Sequence, residues 1–274
     1  DGTNLQVDGD VSGQNIGGGP DLDALLADVQ KSSAQTLAFP LIRKIRDGIA
    51  QETRSSTLDG SFLVRRNANG LSFVIPRASL RAGSGQSLIA VSRVQALNGV
   101  KGLAQVSGNF ATGGVGLPRI TGRMERGGAG QLSLNLSMQT YQVDTASLSV
   151  PNFVVTQSRS GVLGFTGNVL ASGTLPGGQV QNVVLPVDGT WADGRLSMWQ
   201  TCTQVRFDSL TLASLTLDRR ELALCPARGR PLLQMADGKV DVAGGVSALD
   251  VTGRLGSTPV KIASGPIGFA YPGI

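Results

Sequence analysis

Residues 131–139 read QLSLNLSMQ. Leu132, Leu134, Leu136 and Met138 point one way along an extended chain, and Ser133, Asn135 and Ser137 point the other. A period of two is the signature of a strand, so this stretch predicts a half-buried β-strand with one oily face and one wet face. The pattern continues on both sides of it. Leu58, Gly60, Phe62 and Val64 alternate, then Leu71, Phe73 and Ile75, then Ala78, Leu80 and Ala82. Toward the C-terminus, Leu249, Val251, Gly253 and Leu255 alternate with Ala248, Asp250, Thr252 and Arg254. Such runs recur through residues 55–274 roughly every 8 to 14 residues, separated by Gly, Pro, Asn and Ser turns.

The N-terminal fifth reads differently. Residues 1–13 alternate through Leu5, Val7 and Val11, which predicts one or two short strands, and the GGGP of residues 17–20 breaks them. From 21 to 54 the period becomes helical, with Leu22, Leu25, Leu26 and Val29 three and four positions apart and Asp21 and Asp23 at the favourable end of the helix dipole. Pro40 ends or kinks that helix but suits the first turn of a second, in which Leu41, Ile45 and Ile49 share a face beside Ile42. The expected organisation is short strands over 1–19, a hinged amphipathic helical segment over 20–54, and a repeating β-groove segment over 55–274. The helical segment serves either as a cap on the end of a β core or as a lid or interface.

Composition narrows the β architecture. Of 274 residues, 41% are hydrophobic but only 4% are aromatic, and 38 are Gly. A sandwich core gains much of its burial from rings, and here two Trp, two Tyr and eight Phe serve the whole chain. The expectation is a mainly β protein: one long antiparallel sheet curled into an open U-shaped groove whose aliphatic face its own side chains do not fill. An eight-residue strand spans about 26 Å, and one leaflet of hydrocarbon is about 15 Å deep, so a lipid chain fits across such a face. The candidate lining residues are Phe62, Val64, Leu71, Phe73, Leu132, Leu134, Leu136, Met138, Leu210, Leu212, Leu222, Leu224, Leu249 and Val251.

Several chemistries are disfavoured. The chain contains no His, which removes the commonest general base and the commonest metal ligand. Gly83-Ser84-Gly85 and Gly127-Gly128-Ala129-Gly130 lack the Lys-Ser/Thr of a phosphate loop and read as turns. Asp237, Asp241 and Asp250 lack the spacing of a calcium loop. The formal charge of +5 is scattered and few aromatics accompany it, which argues against a nucleic-acid partner. No cofactor and no enzymatic role are expected. Cys202 and Cys225, with no metal-ligand spacing, read either as a disulfide made in an oxidising compartment or as two buried thiols. A start at Asp1 and the lack of an apolar run near 18 residues suggest a piece of a longer protein whose anchor lies elsewhere.

Residues 199–233 read WQTCTQVRFDSLTLASLTLDRRELALCPARGRPLL. This run resembles the C-terminal half of YdbH-type members of the AsmA-like family. The matching positions are Cys202, Val205, Phe207, Leu210 and Leu212, then Leu222, Leu224, Cys225, Pro226, Gly229, Pro231, Leu232 and Leu233. The stretch TLAFPLIRKIRDGI at residues 36–49 is similar to that family as well. The resemblance implies a repeating β-groove and a periplasmic bridge anchored in the inner membrane that moves phospholipid toward the outer one. Its implied partners are phospholipid acyl chains, the membranes at the ends of the full-length protein, and a small outer-membrane lipoprotein docking by strand addition. It also favours the disulfide over free thiols. Two other classes fit the strand pattern: an adhesive β-solenoid without lipid transport, and a β-helical polysaccharide enzyme.

Overall fold

The computed structural model describes residues 4–16, 19–68, 70–99, 105–126 and 131–272. Residues 17–18 and residues 127–130, which the sequence reads as a turn, lie outside these. The order begins with β1 (Leu5–Gln14), α1 (Gly19–Ser32) and α2 (Ala38–Glu52). There follow β2 (Thr57–Asn67), β3 (Gly70–Arg81), β4 (Ser87–Gly99), β5 (Gln105–Thr112), β6 (Ile120–Arg126), β7 (Leu132–Val143), β8 (Ala146–Gln157), β9 (Leu163–Leu175) and β10 (Gly178–Ala192). The remaining strands are β11 (Arg195–Met198), β12 (Thr203–Leu212), β13 (Leu215–Pro226), β14 (Leu233–Ala236), β15 (Lys239–Val246), β16 (Leu249–Leu255), β17 (Thr258–Ser264) and β18 (Ile267–Tyr271).

These strands form one antiparallel sheet of 18 strands, as the alternation predicts. From β1 to β10 each strand pairs with the next along the chain, the arrangement that short turns dictate. At β10 the sheet forks. The first half of β10 pairs with β12, which leads through β13 to β16 and β17. The second half pairs with β11, which leads through β14 to β15 and β18. The two branches meet again on β13, whose Leu217 lies opposite Gly253 of β16 and whose Cys225 lies opposite Gly245 of β15. In the interval between those pairings, Arg220 donates from Nη2 to the hydroxyl of Thr252.

Register shifts interrupt many of the ladders near mid-strand, between Ser61 and Leu63, Ser92 and Gln95, Met138 and Tyr141, Ser149 and Asn152, and Val180 and Val183. A bulge bends its strand and increases the local twist. Bulges in neighbouring strands therefore make a crease that bends the sheet. Pro76 and Pro151 sit at these shifts, where a missing N–H costs no ladder bond. On the polar side of the crease, Asn182 donates to Asp208 at 2.8 Å and Arg219 pairs with it at 2.8 Å. The Asn182 hydrogen bond, and then the Arg219 charge, hold the Asp208 carboxyl below its ordinary range.

Pro40 falls in the first turn of α2, where its ring is tolerated. Leu41 of α2 packs with Tyr141 and Ala146 from the β7–β8 hairpin, with Leu37, Ile45, Val143 and Leu148 around them. Of the segment that the sequence marks as amphipathic, α2 thus buries its apolar stripe against strand ends, while α1 packs on α2 and leaves Leu25 and Val29 exposed.

Candidate functional site

Residues directly opposite one another in a ladder share a face of the sheet. Following the registers from strand to strand puts all fourteen candidate lining residues on one face. Phe62 and Val64 stand opposite Gly9 and Val7, and Val64 stands opposite Phe73. Leu134 lies between Met124 and Val155, and Leu136 between Gly122 and Phe153. Leu210 and Leu212 lie opposite Leu217 and Leu215, and Leu222 and Leu224 opposite Val205 and Thr203. Leu249 and Val251 face Ser264 and Ile262. Met138 and Val251 are buried, Leu71, Phe73 and Leu212 are exposed, and the other nine are half-buried.

The face is apolar well beyond those positions. Apart from Leu97, every exposed large apolar residue on the described strands belongs to it, from Leu5, Val7 and Val11 at one end to Ile267, Phe269 and Tyr271 at the other. Soluble surfaces seldom gather exposed apolar groups this way. The ion pairs lie on the opposite face or in turns: Arg123–Glu125, Arg206–Glu221, Arg219–Asp208, Arg230–Asp241 and Lys261–Asp250. Asp241 and Asp250, weighed in the sequence as calcium ligands, each hold a cation from the chain itself.

Glycines keep the lining thin. Phe62 lies over Gly9, Phe110 over Gly122 and Phe153 over Gly167, each ring resting on its direct cross-strand partner. A Cβ at Gly122 would collide with the Phe110 ring. These rings lie flat on the sheet instead of projecting from it. The face is consequently covered in hydrocarbon while the space above it stays open. An apolar hollow of about 380 Å³ lies over Val11, Leu58, Phe62, Phe73, Ile75 and Ala78.

A second cavity, of about 450 Å³, lies where α2 crosses the ends of β3 to β6. Ile45, Ile49 and Thr53 form its roof, and Leu80, Leu88, Ile89, Thr112, Leu117 and Ile120 form its floor and walls. Its frame is tied down on several sides. Tyr141 donates from Oη to the Gly116 carbonyl at 2.6 Å, Ser84 donates to the buried Glu52 at 3.1 Å, and Ser56 donates to the Ile16 carbonyl at 2.8 Å. Burial raises the Tyr141 phenol above its ordinary value.

The far ends of the strands carry polar groups on the same face. Arg66 stands opposite Leu5 and Leu71, and Arg126 opposite Val106 and Leu132. Arg126 donates from Nη2 to Gln157 at 3.0 Å, and its buried Nε has no hydrogen-bond partner. Sequence reading missed these arginines and the cavity. Arg66 and Arg126 end apolar alternations, which reads as the edge of a strand, and the cavity needs the unforeseeable meeting of α2 with four strands.

A long antiparallel sheet with one oily face is what the alternation predicts, and comparison with known families agrees with the resemblance read from the sequence. The model of the YdbH-like family, described as intermembrane phospholipid transport protein YdbH, matches residues 2–273. The chain belongs to the YdbH-like family. No curated protein and no solved structure gives a significant match. The disulfide between Cys202 and Cys225, with the sulfurs 2.00 Å apart, suits the envelope compartment in which a YdbH-like protein works. No described helix is long and apolar enough to cross a membrane.

Proposed function

We propose that this chain shelters phospholipid acyl chains along its apolar face and conducts them passively between the inner and outer membranes. It does so as a periplasmic segment of a longer bridge anchored in the inner membrane. The observation that carries the reading is that, Leu97 apart, the exposed large apolar side chains of the described strands gather on one face of the sheet. Tails covering that face gain about 0.8 kcal/mol per buried methylene, while headgroups stay in water at the rim. Movement along a uniform aliphatic surface needs no chemical step. On the described residues β1, β17 and β18 each end the sheet on one side. A small outer-membrane lipoprotein fits such an edge by adding a strand.

The test has two parts. Protein purified without detergent and extracted with organic solvent should yield phospholipid by mass spectrometry. A photo-crosslinking residue at Leu134, on the lining, should give phospholipid adducts in envelope preparations, and one at Asn135, on the wet face, should not. Lipid-free protein with equal labelling at both positions would overturn the reading and favour the adhesive scaffold.

A further inference from the structure

We infer that one phospholipid seats lengthwise along β6, its acyl end inserted in the cavity beneath α2 and its phosphate against Arg126. This rests on the lipid reading above and specifies its geometry. The cavity's chemistry selects hydrocarbon. Its threonines are already bonded: Thr53 donates to the Ile49 carbonyl at 2.8 Å, and Thr112 donates to the Pro118 carbonyl at 2.9 Å while accepting from the Ile120 N–H at 3.1 Å. The amide of Gly113 is bonded to the Leu88 carbonyl at 3.0 Å. A polar group entering there would lose its hydration and gain nothing.

The space is built, not left over. The N-terminal half of the same helix seals Leu41 against Tyr141 and Ala146, while the C-terminal half is held off the strands. The β5–β6 loop does this, because Gly48 rests on the Val115 carbonyl and on Leu117. The resulting volume of about 450 Å³ is about three times an engineered apolar cavity that stays dry and takes up benzene.

The other end of the seat is Arg126. Ile120, Gly122, Met124 and Arg126 follow one another on the lining face of β6. Six residues of strand span about 20 Å, against about 15 Å for a chain in a leaflet, so a glycerophosphate at the guanidinium brings the chain's last carbons to Ile120. Among the described residues no carboxylate pairs with Arg126, and Glu125 pairs with Arg123 on the other face. A guanidinium that spends one Nη2–H on Gln157 and faces the lining suits a phosphate oxygen.

The experiment measures binding of lauroyl and palmitoyl lysophosphatidylglycerol, below their micellar concentrations, to the full chain. The palmitoyl lipid should bind about 200-fold more tightly, the value for four further buried methylenes. Ile49→Phe, which fills the cavity, should cut that preference to about tenfold or less while leaving lauroyl affinity within about threefold. Ile89→Phe fills it from the opposite wall and gives the same answer should the helix variant fail to fold. Arg126→Gln should weaken the lysophosphatidylglycerols about tenfold or more and leave monopalmitoylglycerol unchanged. A full chain-length preference in both folded filling variants would overturn the acyl end of the seat. An Arg126→Gln effect equal on charged and neutral lipid would overturn the phosphate end. If the parent protein binds neither lysolipid, the lipid reading itself fails.

Discussion

The lining where α2 lies on it and the lining where nothing does are built from the same kind of sequence. At β7–β8 the helix seals Leu41 and Ala146 to 3% and 2% exposure. At the two ends of the sheet the same face leaves Leu5 57% and Tyr271 65% exposed. β1, β7 and β8 all alternate aliphatic with polar residues, and β18 alternates large apolar residues with Gly and Ala. The difference lies in topology: α2 reaches from β9, where Leu37 meets Gly173, to the start of β4, and α1, the other described helix, packs on α2 instead of on the rest of the face. Covered lining should therefore govern folding, and bare lining should govern what the protein carries. The largest test of that division is Leu41→Ala. Loss of a sealed leucine and the cavity left behind should cost about 4 kcal/mol, read as a lower midpoint in denaturant. A change under about 1 kcal/mol would mean that α2 does not depend on its apolar contact with the sheet.

The forked C-terminal branches have no helix and rely on a covalent tie. Cys202 and Cys225 join the start of β12 to the end of β13 across a separation of 23 residues. Cys202→Ser with Cys225→Ser should cost about 3 kcal/mol. Hydrogen exchange should quicken in β12 and β13 before it does in β7 and β8. Uniform loosening would break the distinction between the two regions.

A smaller effect comes from the seal itself. Tyr141→Phe removes the hydrogen bond to the Gly116 carbonyl and should cost about 1 kcal/mol. Its pH dependence has a definite sign. Burial raises the folded-state phenol above the ordinary value of 10.0 because it disfavours the charged form. Below that value the phenol is neutral folded or unfolded, and its contribution is complete. As pH rises from the unfolded value through the folded one, the unfolded chain ionises first and stability declines. Alkaline titration of the melting temperature should show that decline in the parent and a weaker one in Tyr141→Phe.

Much of this was legible in the residues. A period of two is a local property, so the strands and the identity of the lining face could be read from positions such as Leu132, Leu134 and Leu136 without knowing what paired with them. The low aromatic content pointed to an unfilled face, and the flat rings over Gly9, Gly122 and Gly167 are the physical form that takes. The fork at β10 was not legible, because Gly178 and Gly189 sit in one strand yet pair with different strands. Nor was the cavity, since Ile49, Ile89 and Leu117 are far apart in sequence and each reads as ordinary core. Arg126 follows Ile120, Gly122 and Met124 in alternation, but a charged residue at the end of an apolar run reads as the edge of a strand, so its place at the end of the oily face went unread.

The smallest expected change in stability is also the one that bears most on transport. Val7→Thr and Phe269→Ser alter lining that nothing covers, with Val7 46% and Phe269 43% exposed. Removing apolar area that is already in water forfeits little on folding, so each should shift stability by less than about 0.5 kcal/mol. If tails rest on these positions, the same substitutions should lower the amount of phospholipid recovered from detergent-free protein. The quantity to compare is the ratio of lipid lost to stability lost. For Leu41→Ala that ratio should be small, because the helix seal is already complete without lipid. For Val7→Thr with Phe269→Ser it should be large. Equal ratios would mean that lipid and protein use the face in the same way, and the division between covered and bare lining would then describe solvent exposure and nothing about function.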